Sequence, residues 1–153
     1  MKTKTYKYLF KIADSIAANS HCLSKKVGCL ILRDDKYIVA TGYNGPPSKY
    51  KHCKGEKCPR QIMGFKSGEG LEFCPAEHAE RNAIDTCAKL GISLRDSTLV
   101  LNTIIPCREC AKAIVNSGIK KVVALELKVY PEPGLTGEEV LRKCGVEIVD
   151  GKA

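Results

Sequence analysis

No apolar run in this 153-residue sequence approaches the roughly 20 residues that a membrane-spanning helix needs. The single N-terminal candidate, Tyr8 to Ala18, is interrupted by Lys11 and Asp14, so neither a spanning segment nor a signal peptide is expected. Internal repeats and low-complexity tails are also missing, which leaves no sign of a repeat array or a disordered extension. Charge is not segregated. The 25 Lys plus Arg against 17 Asp plus Glu give a net charge of +8, but the basic residues, mostly Lys, are scattered along the chain. That scatter weakens a nucleic-acid reading and leaves an acidic small molecule as a partner.

What is present suits one soluble domain. A chain of this length buries roughly 70% of its unfolded surface in one core, so residues 1–153 read as a single domain without need of a disulfide scaffold. Nine cysteines are many for that size, and an odd number cannot all pair within one chain. Without a secretory signal, reduced thiols or metal ligands are the better reading, and the expected location is the cytoplasm.

Leu9, Ile12, Ala13, Ile16 and Ala17 recur at helical spacing and predict a first amphipathic helix ending near Asn19. Val27 to Leu32 and Tyr37 to Thr41 flank a turn and predict a β-hairpin. Residues 44–75 then form a long irregular insert rich in Gly and Pro, uncommon unless functional or internally tied. Beyond it come a helix from Ala76 to Leu90, a strand Thr98 to Asn102, and a helix Cys107 to Ser117. A strand Lys121 to Leu127, a helix Gly137 to Lys143 and a strand Val146 to Val149 complete the chain. An antiparallel hairpin followed by helix-bridged strands implies parallel pairing, hence a three-layer α/β/α sandwich on a five-stranded mixed sheet.

Chemistry concentrates in His78-Ala79-Glu80 and Pro106-Cys107-Arg108-Glu109-Cys110. Cys107 and Cys110 lie three apart at a predicted helix start, so their sulfurs share a face and the helix N-terminus favours thiolates. With His78 they supply three ligands and leave one tetrahedral position open, as in catalytic zinc sites, where bound water has a pKa of about 7. Glu80 is poorly placed to join the metal face and suits proton shuttling. Glu77 competes for that role, and helical geometry alone does not choose between them.

H-x-E followed by P-C-x-x-C is the signature of zinc nucleobase deaminases, and the chain resembles the cytidine and deoxycytidylate deaminase superfamily. The resemblance runs from about Tyr8 to Val149. It is carried by Lys26-Val27-Gly28, Thr41-Gly42-Tyr43-Asn44-Gly45 with Pro47, His52-Cys53, the segment from His78 to Ile84, and Pro106 to Lys112. The Gly-Tyr-Asn-Gly element looks like the deoxycytidylate branch rather than the free-cytidine or tRNA-adenosine branches. By this resemblance Glu80 is the proton carrier, Asn44 contacts the sugar hydroxyl and the Ala79 N–H contacts the pyrimidine. Lys26, Asn82 and Tyr130 lie in segments similar to the nucleotide-contacting parts. The implied reaction is zinc-dependent hydrolysis of dCMP to dUMP and ammonia, in supply of thymidylate. Homo-oligomers, often hexamers, activated by dCTP with Mg²⁺ and inhibited by dTTP, are implied as well.

Cys22, Cys53, Cys58 and Cys74 would close a second, structural zinc site and tie the 44–75 insert, as some viral relatives resemble this in doing; His21 or His52 could replace one thiol. Free loop thiols or one disulfide are the alternative. Cys29, Cys87 and Cys144 read as small core residues. Two other functions compete: a deaminase acting on another cytosine nucleotide or nucleoside, tRNA or single-stranded DNA, and a non-enzymatic zinc module.

Overall fold

The computed structural model describes residues 3–53, 58–66 and 68–152. Its order is α1 (Thr3–Ala17), β1 (Gly28–Arg33), β2 (Tyr37–Tyr43), α2 (Pro59–Ile62), a 3₁₀ turn (Leu71–Phe73) and α3 (Ala79–Leu90). β3 (Thr98–Leu101), α4 (Arg108–Ser117), β4 (Lys121–Ala124), α5 (Gly137–Lys143) and β5 (Glu147–Asp150) follow. The five strands form one sheet in the order β2-β1-β3-β4-β5. β1 runs antiparallel to both β2 and β3, whereas β3, β4 and β5 are mutually parallel, so the expected mixed sandwich is present.

Alternation along each strand assigns its side chains to two layers. Leu30, Leu32, Val100 and Val123 face α1 and pack with Leu9, Phe10 and Ala13. Cys29, Ile31, Leu99, Leu101, Val122 and Ala124 face the opposite side, against Ala83 of α3, Ile114 of α4 and Leu141 of α5. Both faces of the central strands are therefore dry, which explains why these strands read as continuous apolar runs. Gly91 and Gly118 end α3 and α4 in the left-handed conformation, as the sequence suggested.

Several features differ from expectation. α3 begins at Ala79 rather than Ala76, because Gly45 and Glu77 exchange two backbone hydrogen bonds of 3.1 and 2.8 Å that keep residue 77 extended. β4 stops at Ala124 rather than Leu127, since its partners on both sides end at Leu101 and Asp150. Cys144 is exposed at the C-cap of α5, so it is not a core residue, while Cys29 and Cys87 are buried. The 44–75 insert also contains α2 and the 3₁₀ turn. Within it, buried Arg60 donates to the carbonyls of Glu69 and Lys66, a tie without metal that the sequence did not reveal. Residues 54–57 and 67 of that insert lie outside the described residues.

Gly42 sets the distance between β2 and α3. A Cβ there would collide with the Ala79 carbonyl and with the Ala83 N–H and Cβ, so only hydrogen lets α3 seat its first turn on the sheet. Gly42→Ala should destabilise the fold by about 1–3 kcal/mol. Thermal melting checks this, at roughly 2–4 °C per kcal/mol for a domain of this size. No helix among the described residues is long and apolar enough to cross a membrane.

Candidate active site

The sheet topology brings two helix starts together. β3 feeds α4 through Pro106-Cys107, and β2 hands the chain, through the insert, to α3. His78 and Cys107 are the N-cap residues of α3 and α4, just outside the helices that they were expected to open. Both caps have extended backbone, and neither side chain bonds to the N–H groups of its own helix. His78 Nδ1 lies 3.4 Å from Cys107 Sγ and 3.2 Å from Cys110 Sγ. Among the described residues this is the one group of three or more such donors lying within 4.8 Å of one another.

The donor set fits zinc. With Zn–N of about 2.0–2.1 Å and Zn–S of about 2.3 Å, a tetrahedral centre separates nitrogen from sulfur by roughly 3.6 Å, close to the spacings present. The Cys107 thiolate favours a cation as well. The hydrogen bond from Cys110 and the neighbouring His78 hold the Cys107 thiol at about 4, against the opposing effect of burial. Cys110 is pushed up by its bond to Cys107 and by burial, and His78 is raised, chiefly by Cys107. One His and two Cys leave a fourth position for water or substrate.

Glu80 is in the first turn of α3 and only 5% exposed. Burial pushes its carboxyl above the usual carboxylate range, against the lowering influence of Cys110 and His78 beside it. Glu77 is committed elsewhere: its Oε1 accepts from the His78 N–H at 3.0 Å and pairs with Arg81 at 2.6 Å. Structure thus separates two acids that spacing could not.

Of the nucleotide-contact candidates, Tyr130 is half-buried in the loop after β4. Its phenol is pushed up to about 12 by burial and by the charges of Glu80, Cys107 and Cys110, so it carries its proton at neutral pH. Ala79 is buried as the first residue of α3, where no helical carbonyl accepts its N–H. Asn44 ties backbone segments together, since its Oδ1 accepts from the Val27 N–H at 2.8 Å and its Nδ2 donates to the Lys25 carbonyl at 2.7 Å. Asn82 similarly donates to the Tyr43 carbonyl at 2.9 Å, tying α3 to the end of β2. Lys26 is exposed on the loop that enters β1.

The four remaining thiols are neighbours without forming so tight a group. Burial raises the Cys53 thiol, and Cys58, Cys74 and Cys22 each raise it further. The His21 and His52 rings lie 4.7 Å apart beside them. The partners of Arg108, Glu132 and Lys25 lie in other segments and are not legible in the sequence. Lys25 Nζ donates to buried Thr103 Oγ1 at 2.6 Å, close to the loop leading into Cys107.

Comparison with known proteins agrees with this geometry. The chain is 33% identical over 141 residues to the deoxycytidylate deaminase of Saccharomyces cerevisiae, covering 92% of this chain but only 43% of that one. It is 33% identical to the deoxycytidylate deaminase of Enterobacteria phage T2, over 97% of this chain and 91% of that one. The crystal structure of dCMP deaminase from the cyanophage S-TIM5 in complex with dCMP and dUMP superposes with a TM-score of 0.76 at 30% identity, covering 98% of each chain. Residues 3–126 match the cytidine and deoxycytidylate deaminase zinc-binding region, a span that takes in His78, Glu80, Cys107 and Cys110 together, and on that ground the chain belongs to the cytidine and deoxycytidylate deaminase family.

Proposed function

We propose that this protein hydrolyses dCMP to dUMP and ammonia. The observation that carries the reading is the convergence of His78, Cys107 and Cys110 at two helix starts with buried Glu80 against them. His78, Cys107 and Cys110 would hold zinc, which supplies Lewis acidity that brings the pKa of water to about 7. Glu80 accepts one proton of the water and passes it to the ring nitrogen, then takes the second from the added hydroxyl and gives it to the amine as the exocyclic C–N bond breaks, leaving the carbonyl of dUMP and ammonia. Its raised affinity for a proton suits both directions of transfer. The Ala79 N–H and the Tyr130 hydroxyl would donate to the bound nucleotide, with Asn44 and Lys26 as its further contacts. Asn82 acts by holding α3 against β2.

The wider reading is a single domain over residues 1–153, its insert held by a second zinc on Cys22, Cys53, Cys58 and Cys74, with His21 or His52 as a replacement ligand. The electrostatic influence of Cys58, Cys74 and Cys22 on Cys53 supports it. Purified protein should then contain about two zinc ions per chain by atomic emission, and Cys53→Ser should lose one of them. A wild-type value of one removes the second site. The reading also carries homo-oligomers regulated by dCTP with Mg²⁺ and by dTTP, which sedimentation with and without each nucleotide checks.

A substrate panel of dCMP, CMP, deoxycytidine, dCTP and an adenosine-containing RNA hairpin, followed by ultraviolet absorbance, tests the function. Turnover of dCMP above the others is expected. Preference for the hairpin, with a steep salt dependence of binding, would instead assign a polymer substrate.

A further inference from the structure

We propose that Arg108 and Glu132 form a two-way clasp that holds Tyr130 at the catalytic centre, making Glu132 a positioning residue for the reaction. The proposal rests on the function proposed above. Arg108 follows Cys107 directly and is the first residue of α4, so its N–H has no helical acceptor. Both oxygens of Glu132 accept from that N–H, at 2.8 and 3.0 Å. Oε2 also accepts from the N–H of Gly137, the first residue of α5, at 3.3 Å. One carboxylate therefore caps two helices, in the position that their dipoles favour.

The return half of the clasp comes from the Arg108 side chain. Its Nη1 donates to the carbonyls of Pro133 at 3.0 Å and Leu135 at 3.1 Å, so the segment around Glu132 is gripped by side chain and backbone together. Apolar packing does little for this loop, because Val129 and Leu135 are exposed. Nor can the grip slide. A Cβ on Gly137 would collide with the Pro106 carbonyl and lie 2.8 Å from the Cys107 carbonyl carbon, so α5 starts hard against the backbone of a proposed zinc ligand. Tyr130 is two residues before Glu132, and its carbonyl accepts from the Glu132 N–H at 2.8 Å. Half-buried Tyr130 is thereby two residues from a carboxylate bonded to the residue after Cys107, at the start of α4. The polar clasp thus orders the loop that presents the Tyr130 hydroxyl.

The test compares Glu132→Ala, Glu132→Gln, Arg108→Ala, Tyr130→Phe and the Glu132→Ala/Tyr130→Phe double variant. The readouts are backbone amide exchange over residues 129–135, zinc content, and KM and kcat on dCMP. Glu132→Ala should speed exchange in that segment, keep the zinc held by His78, Cys107 and Cys110, and raise KM on the order of tenfold. Its kcat should stay within about threefold, the pattern of lost uniform binding. Glu132→Gln should recover most of the KM, since its amide oxygen still accepts. The double variant should show no further KM rise beyond Tyr130→Phe. Unchanged exchange in Glu132→Ala, or a KM effect that adds in full to that of Tyr130→Phe, overturns the clasp. Should Glu132→Ala fail to fold, Arg108→Ala keeps the carboxylate cap and carries the same expectation, and unchanged exchange there overturns it equally. A wild type inactive on dCMP would sink the function while leaving the exchange measurement to judge the clasp.

Discussion

Glu80→Gln should retain zinc and lose turnover by about 10²- to 10⁴-fold, the range that a positioned proton carrier contributes. The substitution keeps volume and removes only the ability to take and return a proton, so the buried first turn of α3 has no reason to rearrange. His78, Cys107 and Cys110 are untouched, and zinc content measured beside the rate separates chemistry from metal loss. Glu77→Gln is the control that gives the experiment its power. Glu77 sits one residue before His78 and pairs with Arg81, so its loss should loosen a surface ion pair worth about 0–1 kcal/mol and leave the rate near that of the wild type. The reverse pattern, with Glu77→Gln inactive and Glu80→Gln active, would transfer the role.

Deoxycytidine should be deaminated about 10²- to 10⁴-fold less efficiently than dCMP, although both present the same ring. A hydrogen bond to a charged group is worth roughly 1.5–3 kcal/mol, and two such contacts to a phosphate supply that ratio. Binding energy from this remote group positions the ring over the metal, so its removal should lower kcat as well as raise KM. The diffuse positive charge suits an anionic substrate, and Lys25 and Lys26 adjoin the loop that Asn44 ties down. Steady-state kinetics on both substrates decide it. Equal efficiencies would move the protein to the nucleoside branch and leave the zinc chemistry intact.

The elements that could be read from sequence are those whose information is local. Helix periodicity in α1, the glycine stops of α3 and α4, and the apolar runs of β1, β3 and β4 all report neighbours within a few residues. The start of α3 was misplaced because its boundary is set by Gly45, more than thirty positions away in the chain. Cys144 was misjudged because a small apolar residue near a helix end carries no sign of which way it faces.

At the site, the residue types and their spacing were determined by the sequence itself: a His, two Cys on one helical turn, and two acids flanking the His. Tertiary structure decided the surroundings of those residues. It set His78 and Cys107 as caps facing each other, committed Glu77 to Arg81 and buried Glu80. It also gave Asn44 and Asn82 backbone partners in other segments, and tied Glu132 to the Arg108 N–H beside Cys107. The physical reason is common to all of these. Donor identity is a property of single residues, whereas burial, charge environment and hydrogen-bond partnership depend on segments that only the folded sheet brings together.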